Sequence, residues 1–132
     1  MRTAVVLIAT AMAARAHHSL ATEYDRAVQA EYKATVTTVT WMNPHATFTA
    51  SVTLKDGSTA TWTFEMRSPN SLLREGWTKE SLRPNEIVTV TAYPAKDGSP
   101  KGSATKILWA DGHSKDCADN WMWGTQPLRS SK

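Results

Sequence analysis

The chain has 132 residues, with 15 Lys and Arg, 12 Asp and Glu, 4 His and a formal charge of +3. That length holds one domain, since domains take roughly 100–200 residues each. Arg2 and Arg15 fall in a leader, so 13 basic side chains face 12 acidic ones in the rest, and no run of like charges occurs. That near balance excludes a nucleic-acid-binding surface built on net charge and any charged tail.

Met1-Arg2 is a short positive start, and Thr3 to Ala14 is an apolar run holding Val5, Val6, Leu7, Ile8 and Met12. Ala14-Arg15-Ala16 follows with the small-x-small pattern that signal peptidase reads, so residues 1–16 are expected to be a secretory signal peptide. Ala11-Met12-Ala13 offers a second cleavage point. The run falls short of the ~20 residues that span a bilayer, and no span remains once the leader is gone. The mature protein is therefore expected to be periplasmic or secreted. Its one cysteine, Cys117, cannot form an internal disulfide. It is left as an intermolecular bridge, a free thiol or a ligand.

Residues 17–30 are polar and irregular. Glu31 to Met42 is rich in Thr and Val and reads as the first strand. Its apolar set passes from Ala34 and Val36 to Val39 and Trp41, a change of parity that predicts a bulge near Thr37-Thr38. Ala46, Phe48, Ala50, Val52 and Leu54 then alternate with Thr47, Thr49, Ser51 and Thr53. After Lys55-Asp56-Gly57, Ala60, Trp62, Phe64 and Met66 alternate with Thr59, Thr61, Thr63 and Glu65. This is a hairpin with even-numbered residues inward, Phe48 opposite Phe64, Ala50 opposite Trp62, and Gly57 in the left-handed position of its turn.

Ser68-Pro69-Asn70 ends that strand, and Ser71 to Glu75 can form a short helix closed by Gly76. Thr78 to Leu82 can add one further turn before Pro84. Ile87 to Tyr93 reads as a fourth strand, Lys96-Asp97-Gly98 as a turn and Ala104 to Trp109 as a fifth strand. Three strands, a short helix and two strands are the element order of a small five-stranded OB-like barrel, mostly β, over residues 31–112. Residues 113–132 form a polar tail interrupted by Trp121, Met122 and Trp123.

Several short motifs occur in a fixed order: Ala16-His17-His18-Ser19, Trp41-Met42-Asn43-Pro44-His45, and Ser68-Pro69-Asn70-Ser71-Leu72-Leu73-Arg74-Glu75-Gly76-Trp77-Thr78. Ser81-Leu82-Arg83-Pro84 and Ala95-Lys96-Asp97-Gly98 complete the set. Together they resemble an uncharacterised family of small exported bacterial proteins, a domain of unknown function, over residues 16–112. The resemblance implies export and a compact β domain. It brings no substrate or catalytic residue with it, and Cys117 and the Trp121–Trp123 cluster lie beyond it.

The four histidines, His17, His18, His45 and His113, are the candidate metal ligands. Cleavage after Ala16 makes His17 the mature N-terminus, whose α-amine and Nδ1 can chelate one Cu(II), with His45 as a third ligand and His18 or His113 in reserve. Metal binding there displaces a proton from the amine. Cleavage after Ala14 would leave Arg15-Ala16-His17, with His in third place. Asn43-Pro44-His45 is equally explained as a structural turn. The strand register sets His45 across from Arg67 with Glu65 diagonal, an unhelpful cation beside a metal ligand. His113 and Cys117 are four residues apart and share a face if the tail is helical, but two ligands close no site.

Trp41, Trp77 and Trp109 flank element ends, as groove linings or as core plugs. No Gly-rich phosphate loop, Gly-x-Ser-x-Gly or His-Glu-x-x-His sequence is present, so the chain carries no enzyme signature. The expectation is a non-enzymatic binding or accessory module whose ligand meets Trp41, Asn43, His45, Arg67, Asn70 and Trp77. Copper binding is the alternative, and docking through Trp121-Met122-Trp123 a third.

Overall fold

The structure is a computed structural model that describes residues 23–118. The expected leader, His17, His18 and the Trp121–Trp123 cluster lie outside the described residues. Alternation of threonine with apolar residues builds strands β1 (Ala30–Thr40), β2 (Thr47–Thr53) and β3 (Thr59–Glu65). β-branched side chains pack well on a pleated surface, and the even-numbered residues of β2, with Phe64 of β3, are buried as the pattern requires. The β2–β3 register sets Phe48 against Phe64 and Ala50 against Trp62, and Gly57 has φ of +84°. That left-handed value is open to glycine at no steric cost. The β1–β2 pairing shifts between Val36 and Thr38, so the change of parity in β1 is a bulge.

Helix α1 (Pro69–Arg74) follows β3 directly, one turn and a half long. Ser68 caps it by accepting the Ser71 N–H, Pro69 sits where no backbone donor is needed, and Gly76 at φ +85° ends it. β4 (Ile87–Pro94) and β5 (Lys101–Trp109) complete the barrel. β1 pairs with β2 and β4, β2 with β3, β4 with β5, and β3 runs parallel to β5 through Thr63–Lys101 and Glu65–Ser103. This closed five-stranded barrel, with one short helix between strands three and four, is the OB arrangement.

The chain departs from the expected polar tail after residue 112. Ser114–Asp116 forms a sixth strand, β6, antiparallel to β5. It continues the seam where β3 leaves β5: the Arg67 N–H donates to the Cys117 carbonyl (3.1 Å) and the Cys117 N–H to the Thr105 carbonyl (2.9 Å). Cys117 itself is fully buried in the core. Inside the barrel Phe48 stacks on Phe64 with centroids 5.1 Å apart, and Tyr32 and Trp62 pack at 4.7 Å. Trp77 plugs the end below α1, against Trp109 at 5.8 Å, with its indole N–H on the Asp116 carbonyl (2.9 Å).

Candidate functional site

In OB barrels the outer face of strands two and three, between the loops that follow strands one and four, carries ligands. On β3 that face presents Thr59, Thr61, Thr63 and finally Glu65, the one charged residue of the series. Around Glu65 the fold brings residues from three other segments. His45 arrives from the β1–β2 loop, because Ala46 pairs with the end of β3: its N–H donates to the Arg67 carbonyl (3.0 Å), and its carbonyl accepts from Met66 (2.8 Å). Lys101 opens β5 opposite Thr63. Glu23 and Tyr24 precede β1 and are tied down by the end of β4, through the Tyr24–Ala95 bridge and the bonds Asp25 N–H to Pro94 and Lys96 N–H to Glu23.

The electrostatics of this cluster are unbalanced. Lys101 is committed to Glu23 in an ion pair. Glu65 is partly buried and has no ion-pair partner among the described residues. Burial raises its carboxyl pKa above the ordinary range and Glu23 adds to this, while His45, Tyr24 and Lys101 pull the other way. Tyr24 is wholly buried, and its hydroxyl, closed to solvent, has the Glu65 carboxylate as its neighbouring acceptor. The Glu65 carboxylate stands beside it, and burial first, then Glu65 and Glu23, holds the phenol well above its usual pKa. His45 places Nδ1 3.1 Å from the Met66 carbonyl. A carbonyl only accepts, so Nδ1 is the donor in this bond.

The structure divides the six expected ligand contacts. Arg67 does not lie outside opposite His45. The strand ends at Glu65, the alternation breaks, and Arg67 turns inward to 8% exposure. There its Nε donates to the Ala118 carbonyl and Nη1 lies 3.3 Å from Glu75. The objection that a cation stands beside His45 is thereby removed. Trp77 is 1% exposed and its N–H is bonded, so it is a core plug. Trp41 is half-buried and packs on the core. Asn43 and Asn70 are exposed, on the loop and on α1 at the same end of the barrel as His45.

The metal candidates are not gathered. Among the described residues no three of His, Cys, Asp and Glu could hold one ion. His113 and Cys117 do not share a helix face: residues 114–116 are a strand, which sets the pair about 13 Å apart along the chain. His113 is exposed, stacked on Trp109 at 4.4 Å and bonded to Asp111, while Cys117 is interior. Burial raises the Cys117 thiol strongly, more than the Arg67 charge lowers it, which leaves an unreactive core thiol. A shallow groove of about 440 Å³ runs beside His113, with Trp109, Glu86 and Ile87 in its lining. Its polar groups are used internally, since Trp109 donates to Glu86 (2.8 Å) and His113 contacts Asp111.

Glu65, Tyr24, Glu23 and Lys101 stand out in the sequence only by contrast. Glu65 is the charged residue that closes a threonine series, and Tyr24 is the one non-histidine aromatic in a polar stretch. No curated protein matches the chain, and no solved structure matches it. The model of one family of unknown function, DUF6152, matches residues 5–106, a span that ends within β5 and short of β6. The chain that carries this Glu65–Tyr24–His45 cluster therefore belongs to that family of unknown function.

Proposed function

We propose that the protein is an exported, non-enzymatic binding module whose ligand sits at the outer end of β3, beside His45 and Glu65. One observation carries this reading: a partly buried carboxylate, Glu65, that forms no ion pair among the described residues. Desolvating a carboxylate without a paired cation costs folding energy. A ligand that pairs with it would offset that cost, and burial and Glu23 already hold its pKa up, a perturbation of the kind that concentrates at functional sites. Export rests on the leader at residues 1–16. Native mass spectrometry of protein collected from the secreted fraction tests both parts. The expected species begins after the leader and carries a small molecule that the Glu65→Gln variant lacks. A bare mature chain overturns the ligand, and an uncleaved chain confined to the cell overturns export.

Copper binding through the mature His17 amine and imidazole plus His45 is the second reading. It is favoured by the half-buried place of His45, whose Nδ1 is tied to the Met66 carbonyl, and by chain length. Glu23 is within electrostatic reach of Glu65, and His17 lies six residues before it, a span of at most about 20 Å when extended. One equivalent of Cu(II) added in the same measurement decides it. A single copper that resists glycine and is lost in His45→Ala supports this reading, and loose uptake removed by glycine sinks it.

A further inference from the structure

We infer that the outer face of β4 and β5 is a docking surface for the chain's own segment after Ala118, with Trp121 and Trp123 covering Leu108 and Ile87. Ile87 is 67% exposed and Leu108 38%, although both lie in paired strands. The register sets them side by side: Leu108 is opposite Thr89, and Ile87 is two residues along β4 on the same face. Such diagonal neighbours stand about 7–8 Å apart. Single exposed apolar residues are ordinary on a protein surface. Here two adjoin, beside a groove that Ile87 lines together with Trp109 and Ala110.

Reach, spacing and charge select the occupant. β6 runs antiparallel to β5 with Ser114 opposite Leu108, which sets Ala118 about 14 Å from Leu108. Trp121 and Trp123 follow Ala118 by three and five residues, a span of about 10–18 Å when extended. Residues two apart in an extended segment share a face at about 6.6 Å, close to the separation of Leu108 and Ile87. Each indole carries roughly 150–250 Å² of surface, and contact with this face removes part of it from water. Beyond Ile87 the groove is bordered by Glu80, Glu86 and Asp111 against the single guanidinium of Arg83. Glu80 and Glu86 form no ion pair among the described residues. Past Trp123 the chain holds Arg129 and Lys132 and no acidic side chain, so its sign complements that border.

The test records nuclear Overhauser contacts in the isotope-labelled full chain, from the indole protons of Trp121 and Trp123 to the methyl groups of Leu108 and Ile87. The expected result is contacts that persist on dilution. Ile87→Thr combined with Leu108→Thr keeps β-branched residues at two exposed strand positions, so the barrel's amide spectrum should be retained. The contacts should be lost in that variant, and the two indole N–H signals should move to free-tryptophan values. Contacts that vanish on dilution, or that join labelled to unlabelled chains, overturn the intramolecular assignment and make the face a site for a second copy. Indole contacts to other residues overturn the location. Indole signals at free-tryptophan values in the unmodified chain, with no contact to the barrel, overturn the inference and leave the face to a separate partner.

Discussion

At the scale of single residues, Glu65 is where the fold works against itself. Its carboxyl pKa is raised by burial first and by Glu23 second, against the opposing pull of His45, Tyr24 and Lys101. The folded protein therefore holds that proton more tightly than the unfolded chain does. Across the window between the ordinary carboxylate range and the raised value, the folded state binds more protons, so stability falls as pH rises through it. Glu65→Gln removes the desolvated charge and keeps an amide that can still face Tyr24. It should gain about 1 kcal/mol at neutral pH, the scale of one unsatisfied buried group. The gain should vanish below the ordinary carboxylate range, where wild-type Glu65 is already neutral. Urea midpoints of the two proteins across that range read the effect directly. An identical midpoint at every pH would mean that Glu65 is solvated like any surface carboxylate. A substitution that stabilises the fold at this position is what a site maintained for function predicts.

At the scale of elements, the closure of β3 on β5 depends on Gly102. It stands opposite Phe64 in the parallel pairing and opposite Pro94 in β4. A Cβ there would lie 3.2 Å from the Tyr93 carbonyl oxygen, 3.2 Å from the Ala92 Cβ and 3.3 Å from Phe64. Two of those three neighbours are backbone or a Cβ and cannot swing aside. Gly102→Ala should therefore cost about 1–3 kcal/mol by overpacking the seam, read as a lowered urea midpoint. A neutral result would show that the seam breathes enough to admit a methyl group. The hairpin of β2 and β3 was legible because period-two alternation and a Lys-Asp-Gly turn fix both the inward face and the register. The barrel followed from element order. β6 was not legible, because Ser-Lys-Asp carries no apolar alternation and is a strand only by completing the β5 edge. The inward turn of Arg67 escaped for a related reason: parity argues a side chain's face only while the strand lasts, and β3 stops at Glu65. Of the site, His45 could be read from its loop position. Tyr24 could not, since only the Tyr24–Ala95 bridge carries it to Glu65.

At the scale of the whole molecule, the five-stranded barrel closes through a short seam that residues 114–118 extend. β3 pairs with β5 only from Thr63 to Glu65, and beyond that point the wall is made by residues 114–118. That short segment accepts hydrogen bonds from the Arg67 backbone at Cys117, the Arg67 guanidinium at Ala118 and the Trp77 indole at Asp116. It also donates the Cys117 N–H to Thr105 and fills the core with the Cys117 side chain. A chain ending at Gly112 orphans buried or partly buried groups at Arg67, Trp77 and Thr105 and opens a void under Trp77. At about 1–3 kcal/mol for each unsatisfied group, the loss approaches the whole ~5–15 kcal/mol that holds a domain together. That chain is expected to lose its cooperative thermal transition and bind a hydrophobic dye. A chain ending at Ala118 keeps every one of these bonds and is expected to unfold cooperatively. The comparison also separates the seam from the Trp121–Trp123 segment, which both truncations remove. If the chain ending at Gly112 melts like the one ending at Ala118, then β6 is an ornament on a barrel closed by Gly102 and the β3–β5 pairing alone. If only the longer chain folds, the wall beyond Glu65 depends on residues past the family match, and the end of the barrel that carries His45 is held in shape by them.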